Sequence, residues 1–266
     1  MSDRLMSADT ASPIVDIKGV SKVYKLQDQT IHALSGANLS IRKGEFVCLI
    51  GASGCGKSTL LRIMAGFEQP SSGEALMWGK PISGPDPSRG MVFQDYALFP
   101  WLSVRDNIGF GPASRGLSSG EIRQTVDKFI ELVGLQKFAT AYPHQLSGGM
   151  KQRVAIARVL ANDAELVLMD EPFGALDAMT RERLQDELLE IWQRTRLTVV
   201  FVTHSIEEAI FLAGRVVVMT PGPGRIESDN GLDLPRPRDV ASPEFNDIRR
   251  VLGAKLHSHH GKKAAA

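Results

Sequence analysis

A glycine-rich segment at residues 51–59, GASGCGKST, constrains the fold of this chain more than any other feature. It matches the pattern G-x-x-x-x-G-K-[ST], follows an apolar run typical of a strand, and precedes a segment with helical character. In that setting the glycines allow a tight turn whose N–H groups point at phosphate oxygens, and the helix start adds partial positive charge. The sequence therefore predicts a strand–loop–helix unit that binds a nucleoside triphosphate.

The residues of this loop have separate expected roles. Lys57 is expected to reach the β- and γ-phosphates, and the Ser58 hydroxyl to ligate Mg²⁺. The phosphate-binding residues predicted in the segment are Gly51, Ser53, Gly54, Cys55, Gly56, Lys57, Ser58 and Thr59.

The composition is that of an ordinary globular protein. Of 266 residues, 43% are hydrophobic and 23% charged, and the net charge is +1, so nothing favours a nucleic-acid partner. We find no apolar run near 18 residues and no secretory signal, and we expect a cytosolic chain that does not span a membrane. Cys48 and Cys55 are expected to be reduced, buried thiols.

The pattern along the chain predicts an α/β protein. Apolar strands alternate with amphipathic helices, which indicates a parallel sheet covered on both faces. Residues 1–13 are polar and are predicted to be disordered. A helical block at about 95–160 resembles a separate lobe. Ser118 with Glu121, Ser205 and Ser242 are expected to cap helices, the last of them in the tail, and another helix is expected to begin near Ser147. Prolines at 221–224 and 235–238 interrupt the chain.

Two carboxylates follow a predicted buried strand at residues 165–169. Asp170 and Glu171 would then lie at the carboxyl edge of the sheet, beside the phosphate loop. Asp170 is expected to hold Mg²⁺, and Glu171 to polarise a water for in-line attack on the γ-phosphate. The combination predicts hydrolysis of the bound nucleotide.

A second predicted anion site lies at another helix start. Ser147, Gly148 and Gly149 would expose a hydroxyl and several N–H groups there. Both phosphate-binding helix starts can serve one nucleotide if the second is supplied by another subunit.

With this segment, LSGGM at 146–150, the chain resembles the nucleotide-binding subunits of ATP-binding-cassette (ABC) transporters. Met150 stands where that family more often has Gln. The resemblance covers roughly residues 14–225 and brings four further residues into the candidate site. These are Gln94 of the glutamine loop, which would link Mg²⁺ and the attacking water to the membrane partner, and Asp177 of the loop that crosses the dimer interface. The other two are the switch residue His204, expected near the γ-phosphate, and Tyr24, which would stack on adenine.

The resemblance implies a fold and partners. It implies a RecA-like phosphate-loop ATPase core at 14–230, an N-terminal antiparallel β subdomain, an inserted α-helical lobe, and a short tail at 231–266. It also implies ATP and Mg²⁺ as ligands and a head-to-tail homodimer. Integral membrane permease subunits would dock on the lobe, and a solute-binding protein would complete the complex. The chain would then lie peripherally on the cytoplasmic side of the cell membrane.

A narrower resemblance concerns residues 219–226 and 234–238, which look like the nitrate, sulfonate, taurine and bicarbonate importers. It implies an ATPase that powers uptake of a small anion. The alternatives are a soluble ABC-type ATPase of DNA repair or translation, a module that binds ATP without hydrolysing it, and an exporter subunit. The apolar residues 97–102 either form a docking surface for the permease or belong to the core of the lobe.

Overall fold

The computed structural model describes residues 12–26, 29–174 and 176–257. Most of the N-terminal segment predicted to be disordered, and the last residues of the tail, therefore lie outside the described residues. The strands are β1 Val15–Leu26, β2 Gln29–Ile41, β3 Phe46–Gly51, β4 Ser72–Met77, β5 Lys80–Pro81, β6 Arg89–Val92, β7 Leu166–Asp170, β8 Thr198–Thr203, β9 Arg215–Thr220 and β10 Arg225–Gly231. The helices are α1 Lys57–Ala65, α2 Val104–Ser114, α3 Ser119–Leu132, α4 Gly148–Leu160, α5 Ala178–Thr195, α6 Ile206–Leu212 and α7 Pro243–His257.

A six-stranded sheet with the order β10-β9-β3-β8-β7-β6 forms the centre of the fold. Its strands from β9 to β6 pair in parallel, and β10 pairs antiparallel with β9 at one edge. Strands β3 and β8 are buried along their whole length, as expected where both faces of a parallel sheet are covered. The predicted parallel sheet is confirmed.

A second, antiparallel sheet has the order β2-β1-β4-β5. Register shifts interrupt the pairing of β1 with β2, which is typical of bulged and twisted strands. This sheet packs with α1 against one face of the central sheet. Residues of β3 alternate between two apolar clusters, because successive side chains of a strand point to opposite faces: Val47 and Leu49 face this side, whereas Cys48 and Ile50 face the helices.

The helix starts confirm the capping residues expected from the sequence. Ser118 forms a capping box with Glu121 at the start of α3. Ser147, Ser205 and Ser242 each accept a hydrogen bond from a backbone N–H of the first turn of α4, α6 and α7. None of the helices in the described part of the chain is long and apolar enough to cross a bilayer.

The structure corrects the interpretation of the segment after β9. Residues 221–224 were expected to interrupt the chain, but they form the turn of a hairpin whose second strand, β10, was not predicted. The second proline segment is also part of the packed structure. Arg238 is 7% exposed and donates to backbone carbonyls of Ile210 and Ala213 at the end of α6.

Candidate functional site

The candidate residues meet at the carboxyl edge of the central sheet. Gly51 closes β3 and Asp170 closes β7, while His204 directly follows β8. Because β8 lies between β3 and β7, these three ends adjoin. Gln94 comes two residues after the end of β6, which is the strand on the far side of β7. Such an edge is where open α/β sheets bind ligands.

Close packing explains the glycines of the phosphate loop. A Cβ built at Gly51 would lie 2.5 Å from both the Cys55 Sγ and the Met219 carbonyl oxygen, and one at Gly56 would lie 2.6 Å from the Ala33 carbonyl oxygen. Gly54 has no neighbour within 4 Å, but its φ of +77° favours glycine. The backbone can therefore turn closely enough to point its N–H groups inward.

The Lys57 ammonium lies inside the loop that it is expected to help fill. Its side chain is buried, and Nζ donates to the carbonyls of Gly51 at 2.7 Å and Ala52 at 3.2 Å. These bonds hold a positive charge at the loop, where it could bind phosphate oxygens. A cation and a tight glycine turn in one place fit a polyphosphate.

Ser58 and Asp170 form the part of the site that could hold a metal. The Ser58 hydroxyl donates to the Asp170 carboxylate at 2.8 Å. Burial raises the pKa of Asp170, and the hydrogen bond from Ser58 opposes that rise. Within the described ranges no group of three or more His, Cys, Asp or Glu side chains could hold a metal ion. A Mg²⁺ here would therefore draw further oxygen ligands from water and from the nucleotide.

Glu171 and His204 form a pair next to this position. His204 Nδ1 lies 3.2 Å from Glu171 Oε2, and the Glu171 N–H donates to the Val202 carbonyl at 3.0 Å. Glu171 has a φ of +45°, which is rare for a residue with a side chain and costs roughly 1–3 kcal/mol. The pair is open to solvent, with 29% of the Glu171 side chain and 66% of the His204 side chain exposed. It can therefore meet a water and a bound nucleotide.

Gln94 lies close to the turn that follows Glu171. Its Nε2 would be 3.4 Å from a Cβ built at Gly174, and the Gly174 N–H donates to the Glu171 carbonyl at 3.1 Å. The side chain is exposed. Gln94 can therefore reach the same space as Glu171, and its role at Mg²⁺ and the attacking water stays a prediction.

The second predicted anion site lies apart from the phosphate loop. The nearest atoms to a Cβ built at Gly148 belong to Leu176 and Tyr96. The Ser147 hydroxyl is exposed and caps α4, and Gly149 packs against Leu184. The two helix starts that were predicted to bind phosphate are thus separate within one chain, and the role of the second one stays a prediction.

Asp177 lies between Leu176 and the first residue of α5, as the N-cap of that helix. Its carboxylate accepts from the Thr180 N–H at 3.0 Å, and hydrogen bonds from Thr180 lower the pKa of Asp177. The structure therefore gives Asp177 the role of a helix cap. Its predicted place at a dimer interface stays a prediction.

Tyr24 lies on the antiparallel sheet that borders the phosphate loop. It pairs with Ile31 of β2, and the Lys22 ammonium lies 5.0 Å from its ring centre. Ala33, two residues further along β2, approaches Gly56. Since two residues of a strand span about 7 Å, Tyr24 lies near enough to the loop for a base held beyond the phosphates.

Gly224 is a residue of this region that the sequence analysis missed. A Cβ built there would clash with the carbonyl oxygens of Cys55 and Ala33, so the turn between β9 and β10 presses on the back of the phosphate loop. The Ser35 N–H donates to the Gly224 carbonyl at 2.9 Å. The only signal was the alternating Pro-Gly sequence itself, which also fits an unpaired loop.

Comparisons with known proteins agree with this geometry. The sequence profile of the ABC transporter family matches residues 34–174. A nitrate import ATP-binding protein of Synechococcus elongatus is 52% identical over 238 residues, which cover 86% of each chain. A taurine import ATP-binding protein of Roseobacter denitrificans is 48% identical over 246 residues, with 90% of this chain and 92% of that one covered. An aliphatic sulfonates import ATP-binding protein of Bacillus cereus is 46% identical over 238 residues, covering 90% and 94%.

A solved structure extends the likeness to three dimensions. It is a dimeric ATP-binding cassette in a post-hydrolysis state bound to ADP and Pi, 34% identical in sequence, with a TM-score of 0.72. The match covers 83% of this chain and 99% of the cassette. The α/β fold predicted from the sequence is thus the fold of ABC cassettes, and the chain belongs to the ABC transporter family as one of its ATP-binding, ATP-hydrolysing subunits.

Proposed function

We propose that this chain hydrolyses ATP to drive import of a small anion, of the nitrate or sulfonate type, through a separate membrane permease. The observation that carries the catalytic part is the pair Glu171 and His204 beside Ser58 and Asp170 at the mouth of the phosphate loop. The names of the nitrate, taurine and sulfonate import relatives support the transport part. The alternative of DNA repair or translation has no such support.

The chain's own residues act by binding, orienting and moving a proton. Lys57 exchanges its bonds to the loop carbonyls for phosphate oxygens, while the loop N–H groups hold the same oxygens. The Ser58 hydroxyl and the Asp170 carboxylate would hold Mg²⁺, and Gln94 would orient its water. Bound Mg²⁺ supplies positive charge that neutralises the phosphate oxygens.

Glu171 is placed to take the proton of the attacking water, because its carboxylate is open to the site and follows the strand that ends in Asp170. His204 holds that carboxylate through the 3.2 Å contact and would meet the γ-phosphate of a bound nucleotide. Hydrolysis then requires no covalent intermediate on the protein.

We propose a head-to-tail dimer for the active form. The Ser147–Gly149 helix start of one copy would face the phosphate loop of the other, so each nucleotide would join two subunits. The separation of these elements within one chain supports this arrangement, as does the dimeric state of the related cassette. ATP would then favour the closed pair by binding it more tightly than the open one.

The permease would dock on an apolar cleft between the central sheet and the helices. The cleft has a volume of about 480 Å³. Its lining includes Phe67, Phe93, Phe99 and Phe110. Trp101 is 70% exposed, and its ring lies 5.7 Å from that of Phe99 at a tilt of 41°. Phe93, the residue before Gln94, lines the cleft. A change in the position of Gln94 on nucleotide binding could therefore be transmitted to a docked partner.

In this arrangement the chain would lie on the cytoplasmic side of the membrane, held there by the permease. A solute-binding protein would deliver the anion on the other side. The solute itself would contact those partners and not this chain.

Affinity purification from gently solubilised membranes tests the transport role. We expect a multi-helix permease in amounts comparable to this chain, and stimulation of ATP hydrolysis when that permease is present. Recovery of the chain free of membrane proteins, together with ribosomes or DNA, would contradict the transport role and leave the ATPase site standing.

A further inference from the structure

A small cavity, lined mostly by residues with polar side chains, lies against the pair Glu171 and His204. Its volume is about 20 Å³, enough for one water molecule, which needs roughly 10–15 Å³ by the same measure. Besides the pair, its lining includes Arg181, Thr203, Ser205 and Glu208. Carboxylate, guanidinium and hydroxyl groups offer the polar partners that a buried water requires.

Glu208 is the unexpected member of this lining. It lies on α6, is only 6% exposed, and accepts a hydrogen bond from the Gln185 side-chain amide at 3.0 Å. The Thr203 hydroxyl also hydrogen bonds to its carboxylate. Burial raises the pKa of Glu208, and these two hydrogen bonds oppose that rise. A buried carboxylate needs such partners, and those of Glu208 hold it beside the turn that carries His204.

Glu208 contacts the turn that carries His204 through both its side chain and its backbone. Its backbone N–H donates to the Ser205 hydroxyl at 3.2 Å, and the Ser205 N–H donates to the Thr203 hydroxyl at 3.0 Å. Because His204 stands between Thr203 and Ser205, the carboxylate and the cap together restrict the direction in which the imidazole leaves the strand.

Arg181 connects the cavity to the segment before α5. Its guanidinium donates to the Leu176 carbonyl at 2.9 Å, and its charge attracts Glu208. Leu176 in turn packs against Gly148, at the start of α4. A displacement of residues 176–177 would therefore reach Arg181 first, and the Glu171–His204 pair through the cavity.

We propose that Glu208 is a positioning residue for the Glu171–His204 pair, acting through the Thr203–Ser205 turn and through a water in this cavity that also contacts Arg181. The inference rests on the proposed ATPase role of that pair. It adds a polar connection by which the position of residues 176–177, and of anything bound against them, affects catalysis. The nucleotide loop lies on different elements, β3 and α1, so nucleotide affinity should not depend on Glu208.

The test is steady-state ATP hydrolysis by the purified full chain carrying Glu208→Gln. The amide has the same shape and can still accept from Gln185, so we expect an unchanged or higher melting temperature. We expect kcat to fall about tenfold while KM for ATP stays within about twofold. The matched control is Glu207→Gln, a neighbour whose carboxylate is exposed and pairs with Arg249 at the surface, and which should leave both constants unchanged.

A second variant, Arg181→Gln, should lower kcat by a similar factor, and the double variant should be no slower than the slower single one. The inference would be overturned if Glu208→Gln had the kcat of the wild type. It would also be overturned if Glu207→Gln changed kcat and KM as much as Glu208→Gln does. If Glu208→Gln lowers the melting temperature, the test rests on Arg181→Gln alone, and wild-type kcat in that variant would overturn the inference. A wild-type chain without ATPase activity would instead overturn the proposed function.

Discussion

Gly51→Ala is expected to weaken nucleotide binding by distorting the phosphate loop. The new methyl group would lie 2.5 Å from the Cys55 Sγ and from the Met219 carbonyl oxygen, about 0.9 Å short of the 3.4 Å at which ordinary contact begins. The Met219 carbonyl belongs to a paired strand and cannot turn away, so the loop must move. Overpacking of this kind costs roughly 1–3 kcal/mol.

A loop displaced by nearly 1 Å loses alignment between its N–H groups and the phosphate oxygens. Losing one charge-assisted hydrogen bond, worth roughly 1.5–3 kcal/mol, raises Kd for ATP about 10- to 100-fold. Equilibrium titration with a fluorescent ATP analogue measures that change, and a thermal melt should show a decrease of about 2–10 °C.

The matched control is Gly116→Ala, between α2 and α3 and outside the phosphate loop. Gly116 has a φ of +80° and no atom within 4 Å, so alanine adds backbone strain of about 1–2 kcal/mol but no clash. We expect Kd for ATP to stay unchanged in this control. If Gly51→Ala binds ATP as the wild type does, or if Gly116→Ala weakens ATP binding as much, the packing argument for the phosphate loop is wrong.

Three further predictions concern Asp170, Cys55 and Arg238. Burial raises the pKa of Asp170 above the ordinary 3.8, so the folded state binds a proton more tightly than the unfolded state. The folded state therefore loses stability as pH rises from the pKa of the unfolded chain through the higher pKa of the folded one. Asp170→Asn should remove this loss, so denaturant melts should favour the variant more at neutral than at acid pH, while Mg²⁺-dependent hydrolysis disappears; equal differences at both pH values would contradict this. Alkylation of buried Cys55 should block ATP binding, and bound ATP should slow the labelling seen by mass spectrometry, whereas equal labelling rates would count against the site. Arg238→Met should lower the free energy of unfolding by about 2–4 kcal/mol, because the carbonyls of Ile210 and Ala213 lose their donor, and an unchanged urea midpoint would refute this.

Local signals in the sequence predicted much of the fold. Ser118 with Glu121 and the serines at 147, 205 and 242 identified four helix starts, because a cap depends on residues within one turn. The apolar runs of β3 and β7 identified strands for the same local reason. The order of the motifs then placed the candidate residues at one edge of the sheet.

Features that depend on distant partners could not be predicted. Strand β10 has the sequence RIESDNG, which looks like a polar loop and becomes a strand only by pairing with β9. Charged residues such as Glu208 and Arg238 are normally exposed, and their burial follows from partners more than 20 residues away. The contact of Gly224 with Cys55 likewise joins segments far apart in sequence.

The central claim is that Glu171 takes the proton of the attacking water at a nucleotide held between two subunits. Measuring ATP hydrolysis and dimerisation of the variant Glu171→Gln tests this claim most directly. The amide keeps the shape of the side chain but cannot take a proton from water, so the variant should bind ATP with unchanged affinity and lose at least about 100-fold in turnover. With ATP it should accumulate as a stable dimer in size-exclusion chromatography with light scattering, while the wild type returns to its resting state. ATP hydrolysis at the wild-type rate by this variant would contradict the account.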